Sequence, residues 1–215
     1  TVLNVSILGN GPSIKFFKGY SSHNNLIIGT NNIFYLKQFN IVNPLNTFYT
    51  VYEERFFKNK KTKIWLNQVK NFKGEVFFPN DWKNRVELKN IPNINFSLPR
   101  SNEKIIKNYL KMFCDKKDLK SSVIIECAIP LAISLKAKLI NLYGCEFKYK
   151  LDNKANLTKN SYFYTQKNDG FEHTKKSEKI WSEIQYLKLK RIKIFLTKHD
   201  IVLRDMTING RLKFI

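Results

Sequence analysis

The chain has 215 residues, 43% of them hydrophobic and 14% aromatic, with 17 Phe and 10 Tyr. So much apolar side chain offsets chain entropy, which excludes a disordered or collagen-like protein, and the length suits one main core with insertions. Lys and Arg number 38 against 17 Asp and Glu, a net charge of +21 that points to anionic partners, although joint richness in Lys, Asn, Ile and Phe is also what an AT-rich genome produces.

Residues 2–8 read as a buried strand of β-branched and apolar groups. Gly9-Asn10-Gly11-Pro12-Ser13 follows at once, and Ile14-Lys15-Phe16-Phe17 opens a helical pattern, with Pro12 suited to a first helical position. Leu26 to Thr30 reads as a second strand ending in Asn31-Asn32, and Thr47 to Tyr52 as a third. Ile64-Trp65-Leu66 and Glu75 to Phe78 are shorter strand candidates. Residues 102–113 carry Ile105, Ile106, Tyr109, Leu110 and Phe113 at helical spacing. Ser121 to Leu135 reads as an apolar helix kinked at Pro130, and Lys138 to Tyr143 as a strand closed by Gly144. Residues 147–173, polar and aromatic, break the alternation and read as an insertion that folds over something. A helix from Ser177 to Lys190 and a last strand, Ile192 to Leu196, complete the unit. Helices alternating with strands predict an α/β fold, a Rossmann-like parallel sheet with helices on both faces.

No run approaches the roughly 18–20 apolar residues that cross a bilayer. No signal-peptide pattern opens the sequence. Cys114, Cys127 and Cys145, an odd number at irregular spacing, are expected to be reduced thiols in a cytoplasmic setting. The basic runs at residues 58–63 and 188–193 carry no RNP aromatics, zinc-finger spacing or heptads, so a nucleic-acid role has only charge behind it.

The glycine-rich turn after the first strand is the strongest local signal. Such a turn presents backbone N–H groups and a positive helix end, which together favour phosphate. It is neither G-x-G-x-x-G nor a P-loop. Asn31 ends the second strand at the same edge of such a sheet, where ligands bind, and Glu146, after Gly144-Cys145, stands there too. His173, at the end of the insertion, is a candidate general base for a hydroxyl, the role that histidine most often takes. His23 and His199 have no comparable setting. Tyr149, Tyr162 and Tyr164 in the insertion are candidate donors to a leaving phosphate. There is no Asp-x-Asp, H-E-x-x-H, Cys-x-x-Cys or G-x-S-x-G, so nucleotide chemistry here is expected to need no protein-bound metal and no cofactor.

Taken in order, these parts resemble the bacterial sialyltransferases of glycosyltransferase family 42, first known from Campylobacter lipooligosaccharide synthesis. The ordered parts are the strand and Gly-Asn-Gly-Pro-Ser, the Asn after the second strand, helix–strand–Gly-x-[Asp/Glu]-Phe, a tyrosine-bearing lid, and His-[Ser/Thr]-Lys before a basic helix. The resemblance implies a GT-A-like variant of the Rossmann core, with a core at 1–146, a small lid insertion at 147–173 and a returning segment at 174–215. It implies metal-independent, inverting transfer of sialic acid, or a related acid sugar such as Kdo, from a CMP-activated donor to a glycan hydroxyl. Nucleotide contacts would fall to Asn10, Gly11, Pro12, Ser13, Asn31, Ser122 and Gly144. His173 would be the base, and Tyr149 and Tyr162 would hold the leaving phosphate. The sequence departs from the family at Ser121-Ser122-Val123, where a Ser-Gly pair is usual, at Glu146 for Asp, and at Lys148 for Tyr. A lipid-linked acceptor at the anionic inner membrane face, with no nucleic acid and room for a homo-oligomer, completes the expectation. The competing readings are a pyrophosphokinase-like or flagellin-glycosylation accessory protein sharing the same turn, and a nucleic-acid binder.

Overall fold

A computed structural model of the protein describes residues 3–19, 25–37, 39, 43–58, 62–114, 122–146 and 175–208, with backbone alone for 175–180. The expected lid, with Tyr149, Tyr162 and His173, lies outside the described residues.

The strands are β1 (Asn4–Leu8), β2 (Asn25–Thr30), β3 (Thr47–Thr50), β4 (Glu75–Phe77), β5 (Ile94–Asn95), β6 (Leu139–Tyr143) and β7 (Val202–Asp205). They form one sheet of seven strands in the order β5-β4-β3-β2-β1-β6-β7, and every pairing is parallel. The register sets Ile7 of β1 beside Ile28 of β2 and Leu142 of β6. Alternate side chains feed two cores, as a pleated strand requires. Val5, Ile7, Ile28, Phe48, Phe77, Ile140 and Leu142 face one side, while Leu8, Ile27, Tyr49, Val51, Val76 and Phe78 face the other.

The first face is covered by α3 (Glu103–Phe113), a π turn (Ile124–Ala128) running into α4 (Ile129–Ser134), and α5 (Lys175–Thr197). The second carries α1 (Arg55–Lys58), α2 (Thr62–Asn71) and short 3-10 turns that bring in Ile14, Phe34, Trp82 and Leu88. The α/β class read from the sequence is therefore the observed one.

Three local readings are corrected. Ile64-Trp65-Leu66 is not a strand but part of α2, because Trp65 and Val69, four apart, are both buried while Ile64 is exposed. Ile192 to Leu196 belongs to α5: Leu189, Ile192 and Leu196 form a fully buried helical stripe, and Ile194 points outward. The last strand is instead β7, whose single buried side chain, Leu203, left too little pattern to read.

Pro130 acts through hydrogen bonding rather than as a bare kink. In the π register the N–H of residue 130 would bond the Ile125 carbonyl, and proline has none to give. The Tyr109 hydroxyl of α3 donates to that carbonyl at 2.8 Å instead, entirely within the core.

Candidate functional site

β1 lies between β2 and β6, where the strand order reverses. In open parallel sheets the crevice outside the carboxyl ends at that point is where ligands bind. Gly9 donates its N–H to the Tyr143 carbonyl and Gly11 to that of Gly144, both at 2.8 Å, so the turns after β1 and β6 touch backbone to backbone. Glycine is required for that approach. A Cβ on Gly9 would lie 2.5 Å from the Gly144 oxygen, and Gly144 itself has φ +65°, in the left-handed region. A Cβ on Gly11 would fall on the Glu146 carboxylate.

Glu146 is the third contact between the turns: its Oε1 accepts the Ser13 N–H at 2.8 Å. This changes the reading of the turn. The chain after Gly11 is a 3-10 turn of only five residues, Pro12–Phe16, and not the start of a longer helix. The Gly9, Gly11 and Ser13 N–H groups, expected to face a phosphate, are all committed within the protein.

The β2 side is built from the aromatic core upward. Trp65 Nε1 donates to the Tyr49 hydroxyl at 2.8 Å, and that hydroxyl donates to the Asn31 carbonyl at 2.8 Å. Burial pushes the Tyr49 phenol far above its usual range, so it remains a neutral donor. Asn31 also donates its N–H to the Thr50 carbonyl at 3.3 Å and takes φ +49°, a left-handed conformation that asparagine tolerates. Asn10 is aimed by its Nδ2, which donates to the Thr30 carbonyl at 3.1 Å.

Four buried polar atoms then converge on this rim with no hydrogen-bond partner among the described residues: Asn10 Oδ1, Ser13 Oγ, Asn31 Oδ1 and Glu146 Oε2. Leaving such atoms unpaired costs about 1–3 kcal/mol each, and native proteins rarely gather them without a use. Beneath them, Cys145 is buried; that burial first, and the Glu146 and Asp205 charges second, push its thiol well above its ordinary pKa. It stays a neutral packing group.

Of the residues singled out from the sequence, Asn10, Gly11, Pro12, Ser13, Asn31 and Gly144 are brought together at the rim. Ser122 is buried at the head of the π turn, where its carbonyl accepts the Glu126 N–H at 2.8 Å. Sequence reasoning placed Glu146 at the edge but missed its hold on Ser13, and it missed Tyr49 altogether. A tyrosine within a strand carries no local sign that its hydroxyl supports a rim.

No protein-family model matches the chain, and no curated protein does. Solved structures do match across almost the whole fold. The sialyltransferase CstII from Campylobacter jejuni in complex with the substrate analogue CMP-3FNeuAc is 17% identical, with a TM-score of 0.51, covering 98% of this chain and 84% of that one. The sialyltransferase CST-II in complex with a trisaccharide acceptor and CMP is 19% identical, with a TM-score of 0.54 and coverage of 97% and 83%. The chain thus has the fold of these sialyltransferases, as the order of its motifs led one to expect.

Proposed function

We propose that this chain is a sialyltransferase-like glycosyltransferase that moves an acid sugar from a CMP-activated donor to a glycan hydroxyl. The observation that carries the reading is the set of unpaired polar atoms on Asn10, Ser13, Asn31 and Glu146 at the carboxyl rim of β1, β2 and β6. It lies in a fold shared with sialyltransferases solved with CMP and with a trisaccharide acceptor.

His173 takes the proton from the acceptor hydroxyl. The freed oxygen pair attacks the anomeric carbon from the face opposite CMP. The bond from that carbon to the phosphate oxygen breaks, its electrons leave with CMP, and the configuration inverts. Tyr149 and Tyr162 donate to the departing phosphate, and no protein-bound metal takes part. The enzyme works at the inner membrane face on a lipid-linked glycan of lipooligosaccharide or capsule type. The net charge of +21 supports this, as does the outer stripe of α5, where Leu187, Arg191 and Ile194 are exposed, with exposed Lys198 just past its end.

The test is CMP release from CMP-sialic acid in the presence of a glycan acceptor. His173→Ala should lower release by about 10²–10⁴-fold while leaving CMP binding intact. Undiminished release in that variant refutes the base. Stabilisation by a different nucleotide, with none by CMP, refutes the donor.

A further inference from the structure

The polarity of the rim says which part of a nucleotide it receives. Asn10 is fixed in orientation, since only its Nδ2 can donate to the Thr30 carbonyl, so the unpaired Oδ1 is an acceptor. Glu146 accepts the Ser13 N–H through Oε1, and its buried Oε2 is a second acceptor. The Ser13 hydroxyl can act either way. The N–H groups of Gly9, Gly11 and Ser13, the natural partners of an anion, are spent on Tyr143, Gly144 and Glu146. A phosphate brings only acceptor oxygens and negative charge; of these unpaired groups only the Ser13 hydroxyl could donate to it, and it would also face a carboxylate and an amide oxygen. A ribose brings vicinal hydroxyls, which donate.

We infer that the Glu146 carboxylate, held against Gly11 and Ser13, is the ribose-binding group of this site: its Oε2 accepts a ribose hydroxyl of the nucleotide, and the turn binds nucleoside rather than phosphate. The inference rests on the proposed CMP-donor function. Carboxylates accept ribose hydroxyls at the same edge of other nucleotide-binding α/β sheets, and here the acid comes from the turn after β6 rather than from the end of β2. Glu146 is therefore a specificity-determining residue that separates ribonucleotides from deoxyribonucleotides. On this reading the phosphate lies away from the turn.

Calorimetric titration of the full chain with CMP, 2′-deoxy-CMP, 3′-deoxy-CMP, UMP and inorganic pyrophosphate tests this, first on the wild type and then on Glu146→Gln. The substitution keeps an oxygen for the Ser13 N–H and replaces the free acceptor by an NH₂ donor. The wild type should bind CMP at least about tenfold more tightly than one of the deoxy forms, the worth of one hydrogen bond to a charged group. Glu146→Gln should weaken CMP about tenfold and bring that ratio close to one. Tighter binding of CMP or pyrophosphate by Glu146→Gln would place phosphate at the turn and overturn the inference. So would a change in the CMP-to-UMP ratio with the ribose ratio untouched, which would assign Glu146 to the base. If the variant fails to fold, equal affinity of the wild type for CMP and both deoxy forms overturns it alone. Failure of every cytidine nucleotide to bind would instead remove the donor assignment itself.

Discussion

Two regions of this molecule treat buried polar groups in opposite ways. Around the sheet three such pairs stand out, Ser6 with Asn25 at 2.9 Å, Trp65 with Tyr49 at 2.8 Å, and Tyr109 with the Ile125 carbonyl at 2.8 Å, although the buried Ser182 hydroxyl of α5 has no partner among the described residues. At the carboxyl rim of β1, β2 and β6, a few residues away, Asn10, Ser13, Asn31 and Glu146 each leave an atom without a partner among the described residues. The chain pairs these interior groups, yet at the rim it leaves four polar atoms together without partners among the described residues. A polar group that a fold can satisfy and does not is available to something else, and the rim is where a parallel sheet receives ligands.

The contrast breaks most visibly at Tyr49, which belongs to both regions. Tyr49→Phe keeps the ring but strands the Trp65 N–H and the Asn31 carbonyl together. Two unpaired groups, at least one of them buried, should lower stability by about 3 kcal/mol, read from urea unfolding. It should also weaken CMP binding, because Asn31 loses its support. A loss below about 1 kcal/mol would mean that the interior tolerates unpaired groups as the rim does.

At the rim the sign should reverse. Asn31 carries a left-handed backbone at φ +49° and an unpaired Oδ1. Asn31→Gly removes both, and should raise the unfolding free energy by about 1 kcal/mol while lowering CMP affinity about tenfold. Stabilisation bought with binding is the mark of a site, whereas a loss of both would make Asn31 an ordinary structural residue.

How much of this was legible in the sequence follows the same division. Gly-Asn-Gly-Pro-Ser after a strand, and Gly144 after another, locate the rim because glycine at a close backbone approach leaves a local trace. The strands β1, β2, β3, β4 and β6 are equally local, being short apolar runs bounded by turn residues. The end of α5 was not legible: Ile192-Lys193-Ile194-Phe195-Leu196 alternates as a strand does, and only packing of Leu189, Ile192 and Leu196 on one side decides for a helix. The grip of Glu146 on Ser13 spans 133 residues, and the Tyr109–Ile125 bond arises from a proline missing its N–H in a π turn. Such contacts are properties of the assembled sheet, and no spacing in the chain announces them.

The smallest expected effect concerns the thiols, which need no partner and so fall under neither rule. Burial pushes both Cys127 and Cys145 well above the ordinary thiol pKa; the Thr50 hydrogen bond to Cys127 and the Gly9 backbone contact of Cys145 offset only part of this. A folded pKa raised above the unfolded one means that the native state holds its proton. The stability this supplies is complete below the unfolded value of about 8.5 and is lost as pH rises toward the folded one. Raising pH from 7 to 8.5 should therefore cost about 0.4 kcal/mol for each of the two, read as a small fall in the urea midpoint. The buried Cys145 thiol should stay closed to alkylating reagents at pH 8.5 until the chain unfolds. Rapid native-state labelling of Cys145 would show that the floor of the rim opens, and with it the claim that the interior beneath the unpaired atoms is tightly packed would fall.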